Sequence, residues 1–247
     1  MDLKSVKHIG FPRLPAEYQE VEYLSTAADG YIDSGFAFTQ PELKIEFKYL
    51  KEDNLLTSLF GVDFGSDSEN RLMHGHINGN KVYVGNSGRT ITIPEGKQEL
   101  EKLYEGSVQL LGTEIDEQKI ILTLNGETLT KINGEDYFFG GCPYSDLVFA
   151  SRRYPEGYGN DQFRGRLYYL RFYDHTGNEV RNFIPCYRKS DGTTGLYDLC
   201  GSVCPQTGTP FYENLTSGRF QKGPSVAGYQ VKQIHKGDVL LWEEKEE

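Results

Sequence analysis

One loop of this chain combines the side chains that proteins use to bind sugars. Between Ser151 and Gln162, aromatic rings stand among guanidinium, amide and carboxylate groups. Rings stack on the apolar faces of a sugar, while polar groups bond to its hydroxyls. The predicted contacts are Arg152, Arg153, Tyr154, Tyr158, Asn160 and Asp161. Tyrosine and arginine are equally favoured at protein interfaces. These residues are therefore predicted to contact a glycan or a partner chain, unless the tyrosines only pack the loop down.

Two groups of residues have donor atoms for a metal ion but lack a complete site. His74 and His76 would lie on one side of a strand, yet the sequence places no third ligand beside them. The carboxylates that could supply calcium ligands are Asp29, Asp33, Asp63, Asp67 and Glu69. Their spacing is not that of an EF-hand. We predict no metal site and no cofactor, with calcium the one ion left open.

The chain has four cysteines, Cys142, Cys186, Cys200 and Cys204. A chain of 247 residues does not need disulfides to form a core. Three residues separate Cys200 from Cys204, and no second pair of zinc ligands lies nearby, which disfavours a zinc site. Free thiols are expected, with a local Cys200–Cys204 disulfide as the alternative.

Turn signals and alternating apolar residues predict an all-β fold. Lys119 to Ile132 is expected to form a hairpin around Asn125 and Gly126, because Asn-Gly tolerates the positive φ angles of a tight primed turn. Residues 71–85 are expected to form a second hairpin around Asn78 and Gly79. Residues 44–50 alternate apolar and charged side chains, as a half-buried strand does. Residues 167–173 are apolar on both faces and predict a central strand of a sandwich.

Composition and charge narrow the range of partners. The chain contains 17 tyrosines, 14 phenylalanines and 28 glycines, which is typical of strands and turns. Its net charge of −10 disfavours binding to nucleic acid or to an anionic membrane. Residues 1–8 lack an apolar secretory core, and no apolar run approaches the roughly 18 residues of a membrane span. We therefore expect that the chain is synthesised in a cytoplasm and does not insert into a membrane.

Three sequence motifs carry a specific resemblance. The first is FIPCYRKSDG at residues 183–192, followed by GLYD at 195–198; the others are LPAEYQEVEYL at 14–24 and FRGRLYYLRFYD at 163–174. Together they resemble the concanavalin-A-like, laminin-G-like jelly-roll modules of bacteriophage structural proteins and prophage-encoded surface proteins. The resemblance extends from Leu14 to Gly223. It implies a jelly-roll β-sandwich of two antiparallel sheets that serves as a binding or structural module.

Laminarinase-type glycosidases share this broad fold, and one segment is similar to their catalytic motif. Those enzymes carry nucleophile, helper aspartate and acid/base as Glu-x-Asp-x-x-Glu or Glu-x-Asp-x-Glu. Here Glu114 and Asp116 are followed by Gln118 and Lys119 at the two acid/base positions. Retaining hydrolysis needs two carboxyl groups about 5 Å apart. Because the second is missing, we predict no catalytic residues and a polar turn before the strand at Ile120.

The predicted domain organisation is an N-terminal extension at residues 1–10, a jelly-roll domain at 11–223, and a C-terminal hairpin with an acidic tail at 224–247. The hairpin is expected around residues 236–238 and is similar to short terminal motifs of phage tail and fibre proteins. An isolated hairpin is marginal in water, so it should dock on the sandwich or on another subunit. Its predicted assembly contacts are Val231, Ile234, Leu241 and Trp242.

The resemblance and the missing acid together predict a non-enzymatic bacteriophage virion protein. Its lectin-like module would bind host-surface glycans, in receptor binding or adhesion. The alternative is a capsid or tail decoration or assembly protein without glycan binding, and a glycoside hydrolase is the weaker third. The expected partners are other virion proteins, further copies of the chain and host cell-surface polysaccharide. The expected location is the virion, after synthesis in the bacterial host cytoplasm.

Overall fold

The structure is a computed structural model and describes residues 14–26, 30–52, 57–63, 74–78, 81–83, 90–92, 99–114, 116–132, 141–153, 159–160, 162–216, 220–225, 233–236 and 239–243. Within these ranges the chain forms strands and no helix. The strands are β1 (Tyr18–Glu20), β2 (Leu24–Thr26), β3 (Ile32–Asp33), β4 (Leu43–Lys51), β5 (Thr57–Asp63), β6 (His74–Asn78), β7 (Lys81–Tyr83), β8 (Thr90–Thr92), β9 (Leu103–Leu111), β10 (Lys119–Leu124), β11 (Glu127–Ile132), β12 (Leu147–Val148), β13 (Ser151–Arg153), β14 (Gly159–Asn160), β15 (Gly165–Tyr173), β16 (Glu179–Arg188), β17 (Thr194–Asp198), β18 (Phe211–Glu213), β19 (Gln221–Lys222), β20 (Gln233–Lys236) and β21 (Val239–Glu243).

Two sheets pack face to face. The larger follows the order β11-β10-β9-β4-β15-β16-β17-β18, with β1 beside β16 and β2 between β15 and β19. Its strand pairs are antiparallel. The smaller follows the order β14-β13-β5-β6-β7-β8, with β12 pairing β3 and β5. Only β13 and β5 run parallel among the described pairs. The predicted jelly-roll β-sandwich is confirmed.

The core between the sheets is aromatic. Phe47 of β4 and Phe172 of β15 lie 6.1 and 6.3 Å from Phe60 of β5, measured between ring centroids. All three side chains are buried, at 3%, 0% and 2% exposure. A second, smaller apolar cluster covers the opposite face of β16, where Tyr18 packs on Phe211. Burial of such rings on both faces of one strand places β16 deep in the domain.

The alternation predicted for residues 44–50 is confirmed in β4, whose residues are buried and half-buried in turn from Leu43 to Lys51. The prediction for residues 167–173 is right about position, because β15 lies between β4 and β16. It is wrong about the faces only at Leu167 and Tyr168, which regular alternation would place the other way round. A β-bulge between Leu167 and Tyr169 shifts the alternation, so that Leu167 and Leu170 both point into the core. The other face is half-buried and carries charge, at Arg171.

The predicted hairpins are present. Asn125 and Gly126 have φ angles of 48° and 83°, the primed turn expected between β10 and β11. The Asn125 side chain also accepts a hydrogen bond from the Glu105 amide and donates one to the Leu103 carbonyl, which ties this turn to β9. In the second hairpin, β6 pairs with β7, but Asn78 belongs to β6 and lies opposite Lys81. The predicted turn at Asn78 and Gly79 is therefore placed one residue too early.

The first and last segments of the sandwich domain lie side by side. Near the start of the described chain, β2 pairs with β19, and Val21 forms an isolated bridge with Ser225. The C-terminal hairpin of β20 and β21 is a separate two-stranded sheet, in which Lys236 lies opposite Val239. The two strands expected on either side of residues 236–238 are therefore confirmed. No helix that could span a membrane occurs in the described part of the chain.

Candidate functional site

Arg152, the first predicted ligand contact, is bound by its own chain. Its Nη2 lies 2.5 Å from Asp33 Oδ2 and 2.9 Å from Ser145 Oγ, and its Nε donates to the Ser145 carbonyl at 2.8 Å. Both charged side chains are only 17% exposed. The guanidinium therefore joins β13 to β3 and to the loop before β12. Asp33, one of the calcium candidates, is the carboxylate in this ion pair.

The remaining residues of the predicted sugar-binding loop are only partly described. Arg153 and Asn160 lie in β13 and β14, which pair so that Ser151 is opposite Asn160. Tyr154, Tyr158 and Asp161 lie outside the described residues. Their role in binding stays a prediction.

The acidic segment before β10 forms a turn. The amides of Glu117 and Gln118 donate to the Glu114 carbonyl at 3.2 and 3.1 Å. Glu114 and Asp116 are exposed, whereas Gln118 is fully buried. The segment is the polar turn that the sequence predicted, and its carboxylates do not line the cleft described below.

Of the candidate metal ligands, only Asp33 has a side chain within the described part of the structure. His74 and His76 lie in β6 and Asp63 ends β5, and only their backbone is described. Asp29, Asp67 and Glu69 lie outside the described residues. In the described part of the chain, no group of three His, Cys, Asp or Glu side chains could hold a metal ion. The four cysteines are free thiols in the structure, with Cys204 hydrogen-bonded to Gln206.

A cleft of about 200 Å³ lies where β4 begins and β15 ends. One wall is the connection from β3 to β4, and the other is the turn from β15 to β16. The lining residues are Phe36, Ala37, Phe38, Thr39, Gln40, Glu42, Asp174 and His175. An aromatic ring thus stands among hydroxyl, amide, carboxylate and imidazole groups, the combination that binds small polar ligands.

The aromatic wall of the cleft is held by Arg181. Its guanidinium lies 5.5 Å from the half-buried Phe36 ring, and Phe36 meets Phe38 edge to face at 5.0 Å. Arg181 donates from Nε to the Ser34 carbonyl at 2.9 Å and from Nη2 to the Gly35 carbonyl at 2.8 Å. These bonds fix the backbone directly before Phe36. The wall is formed before any ligand binds.

Glycine is required behind the same wall. Gly141 has a φ of 104°, and a Cβ there would lie 2.4 Å from the Thr39 carbonyl. This close approach lets the Cys142 amide donate to the Phe38 carbonyl at 2.6 Å. Any larger residue at position 141 would push the β3–β4 connection into the cleft.

The polar wall is also fixed. Asp174 Oδ1 accepts bonds from the Thr176 amide and hydroxyl and from the Asn178 amide, at 2.9, 2.6 and 3.0 Å. The Thr176 hydroxyl and these amides lower the pKa of Asp174, so the carboxylate is charged at neutral pH. Glu42 Oε1 accepts from the Gly112 amide at 3.0 Å. Both carboxylates are therefore oriented acceptors for ligand hydroxyls or amines.

Beyond the cleft, the outer surface of the larger sheet carries a set of side chains that we call the outer tyrosine face. Its members are Lys44, Glu46 and Lys48 of β4 and Tyr169, Arg171 and Tyr173 of β15.

The Tyr173 end of the outer tyrosine face is organised around Glu46. The Tyr173 hydroxyl donates to Glu46 Oε2 at 2.9 Å, and Lys44 Nζ lies 2.6 Å from Glu46 Oε1 and 5.0 Å from the Tyr173 ring centroid. Burial alone would raise the pKa of Glu46, but these two hydrogen bonds outweigh it, so the pKa is lowered. Burial raises the pKa of Tyr173 to about 12.

The Tyr169 end repeats this arrangement. The Tyr169 hydroxyl donates to Glu105 Oε1 at 3.2 Å, and Lys48 Nζ lies 3.1 Å from Glu105 Oε2. The Arg171 guanidinium lies 5.1 Å from the Tyr169 ring. Burial raises the pKa of Tyr169 to about 12, so both phenols keep their protons at neutral pH.

Sequence reasoning did not find the cleft or the outer tyrosine face. Residues 36–42 and 174–175 are more than 130 positions apart and share no motif. The alternation of β4 was recognised, but it predicted only that the charged residues point to solvent. Their pairing with tyrosines depends on the register of β4 with β15, which opposes Lys44 to Tyr173 and Glu46 to Arg171.

Comparison with known proteins supports the fold. No protein-family model and no curated protein sequence matches this chain. A structure from Bacteroides ovatus ATCC 8483, provisionally named a carbohydrate binding protein, is 13% identical with a TM-score of 0.50, over 85% of this chain and 62% of that one. The full extracellular region of zebrafish Gpr126/Adgrg6 gives a TM-score of 0.45 at 10% identity, over 83% of this chain and 26% of that one. The chain therefore spans less than two thirds of either structure. At this identity, the first likeness supports the jelly-roll β-sandwich fold and nothing beyond the fold.

Proposed function

We propose that this chain is a non-enzymatic carbohydrate-binding module and that the cleft at the start of β4 holds the sugar. The observation that carries the proposal is the half-buried Phe36 ring, which Arg181 fixes at the wall of a polar cleft. Such a ring stacks on the apolar face of a sugar, while Gln40, Glu42 and Asp174 bond to its hydroxyls. The jelly-roll neighbour that bears a carbohydrate-binding name supports the same class of ligand.

The setting that we propose for this module is a bacteriophage virion, where it attaches the particle to polysaccharide on the host surface. The support is the resemblance of residues 14–24, 163–174 and 183–198 to phage structural modules. A net charge of −10 also favours neutral or basic partners over nucleic acid.

The absence of hydrolysis is part of the proposal. Glu114 and Asp116 lie on an exposed turn, and Gln118 and Lys119 stand where the acid/base carboxyl of a glycosidase would be. Incubation with β-glucans should release no reducing ends. Turnover that is lost in Glu114→Gln would show that the chain is an enzyme.

The binding test is calorimetric titration of the purified chain with sugars that first give a signal on a glycan array. Phe36→Leu keeps an apolar side chain beside Arg181 but removes the ring, and should weaken binding about tenfold. Leu215→Ala changes an exposed apolar residue that does not line the cleft and serves as the control. Unchanged affinity in Phe36→Leu, or equal loss in both variants, would exclude the cleft as the site.

A role in assembly without glycan binding is the second candidate. The observation that favours it is the C-terminal hairpin, whose strands pair with each other and with no other described strand. Two strands alone cannot bury the apolar residues predicted there. Failure of every glycan to bind, together with loss of assembly when residues 226–247 are removed, would favour this function.

A further inference from the structure

The cleft lies at the end of the two strands that carry the outer tyrosine face. Glu42 lines the cleft and β4 starts at the next residue; Asp174 lines the opposite wall and directly follows the last residue of β15. The first pair of the outer tyrosine face is Lys44 opposite Tyr173. Tyr173 and Lys44 are therefore the members of the outer tyrosine face that are nearest in sequence to the residues lining the cleft.

The outer tyrosine face repeats along the strands. Lys44 is opposite Tyr173, Glu46 is opposite Arg171, and Lys48 is opposite Tyr169. Alternate residues of a strand are roughly 7 Å apart, so the two tyrosines lie about 14 Å apart along β15. A regular row of rings and polar groups matches a ligand that is itself a repeating chain.

The face carries balanced charge. Lys44 and Arg171 both contact Glu46, at 2.6 and 3.5 Å, and Lys48 contacts Glu105 at 3.1 Å. Arg171 also lies 3.8 Å from Glu179. Three cations and three carboxylates therefore neutralise one another on the surface of an acidic protein. An uncharged partner is favoured, because an anionic polymer would meet no surplus cation here.

The side chains of this surface are accessible yet held in place. Lys44 and Arg171 are 37% and 36% exposed, and Glu46 is 23% exposed. Their ion pairs and the cation–π contacts restrict the rotamers of Tyr169 and Tyr173 before any ligand arrives. Such preorganisation suits stacking on sugar rings of an extended polymer.

We infer that the outer tyrosine face binds an extended, uncharged polysaccharide whose end occupies the cleft. Tyr173 and Tyr169 stack on two non-adjacent sugar rings of the same chain, and Glu46, Arg171 and Glu105 bond to hydroxyls of the rings along this face. This inference rests on the proposed function, since the cleft supplies one end of the site.

The test measures affinity against chain length. The probes are glucose, mannose and galactose, and the uncharged hexasaccharides cellohexaose, maltohexaose, laminarihexaose and mannohexaose, with hexagalacturonic acid as the charged comparison. The full chain should bind one uncharged hexasaccharide at least tenfold more tightly than its monosaccharide. Tyr169→Ala should weaken hexasaccharide binding about fivefold and leave monosaccharide binding unchanged.

The control is Tyr187→Ala, which removes a half-buried tyrosine that contacts Lys222 away from this face. Circular dichroism and thermal unfolding show whether each variant is folded; should Tyr169→Ala not fold, Tyr169→Leu replaces it. Equal affinity for monosaccharide and hexasaccharide, or tighter binding of hexagalacturonic acid, would overturn the inference while leaving the cleft as a sugar site. Failure of the unmodified chain to bind any uncharged probe would overturn the inference and the proposed function together.

Discussion

The two faces of β4 and β15 use aromatic residues in opposite ways. On the inner face, Phe47 and Phe172 contact other rings and are at most 3% exposed. On the outer face, Tyr169 and Tyr173 contact cations and carboxylates and remain half-buried. The same two strands thus contribute to both the buried core and a surface that faces solvent.

This difference separates stability from recognition. Rings that pack on rings contribute through buried area, and their removal leaves a cavity. Rings that lie among charges bury less area, and the parts of them that their charged neighbours leave uncovered can contact a ligand. Changes on the inner face should therefore lower the free energy of unfolding, and changes on the outer face should lower affinity.

The sharpest test of this comparison is a pair of neighbouring substitutions in β15. Phe172→Ala should lower the free energy of unfolding by about 3–5 kcal/mol, because it empties a fully buried site among four aromatic rings. Tyr173→Ala should lower it by no more than about 1 kcal/mol. Urea unfolding measures both. Similar losses in the two variants would show that the outer ring is also part of the core.

Arg181 and Arg171, from neighbouring strands of the larger sheet, offer a second pair. Arg181 is 9% exposed, and its Nε lies 3.7 Å from the fully buried Asp198. Arg181→Ala leaves that carboxylate without its cation and should lower the free energy of unfolding by about 3 kcal/mol. Arg171→Ala, on the outer tyrosine face, should lower it by less than about 1 kcal/mol. Equal effects in urea unfolding would contradict the contrast between the faces.

Substitution of Trp242 tests whether the C-terminal hairpin docks on another surface. Its strand, β21, pairs only with β20 among the described strands. If the hairpin docks on another subunit, Trp242→Ala should weaken self-association about thirtyfold and leave the melting temperature of the sandwich unchanged. If it docks on its own chain, the melting temperature should fall instead. Sedimentation and thermal unfolding distinguish these outcomes, and no change in either would mean that the hairpin is a passive tail.

Two carboxylates should show opposite pH dependence. Burial raises the pKa of Asp146 well above 3.8, although Arg152 opposes this shift. A raised carboxyl pKa in the folded state stabilises fully below the unfolded value of about 4, and this contribution is lost as pH rises through the folded pKa. Asp146→Asn, which does not titrate, should therefore become more stable relative to the unmodified chain as pH rises above about 4.

Glu46 on the outer tyrosine face has a lowered pKa, so its contribution is present above about pH 4.3 and is lost as pH falls through the folded value. Glu46→Gln should be destabilised at pH 7, by about 0.5 kcal/mol, and match the unmodified chain at low pH. Urea unfolding across this range measures both carboxylate variants. The same sign of pH dependence in both would contradict the assignment.

Local features of this fold could be predicted from sequence. The turn at Asn125 and Gly126 is set by backbone conformations that those two residues favour, and the alternation of β4 follows from the two-residue period of a strand. The jelly-roll resemblance fixed the fold class. Each of these inferences needs only neighbouring residues or a contiguous motif.

The site could not be predicted because it depends on distant contacts. The bulge in β15 lies where the strand pairs with both β2 and β4, and one extra residue exchanged the expected faces of Leu167 and Tyr168. Arg152 was expected to face a ligand, but its partner Asp33 is 119 positions away. Only the folded register reveals which charges are already paired.

The pairing of β2 with β19, and of Val21 with Ser225, places the entry and exit of the sandwich side by side. A domain with adjacent ends can be inserted into a surface loop of another protein without separating the two halves of that loop. The sandwich is therefore suited to insertion into loops of other proteins. It is also suited to circular permutation, with a short linker joining the chain near residues 21 and 225.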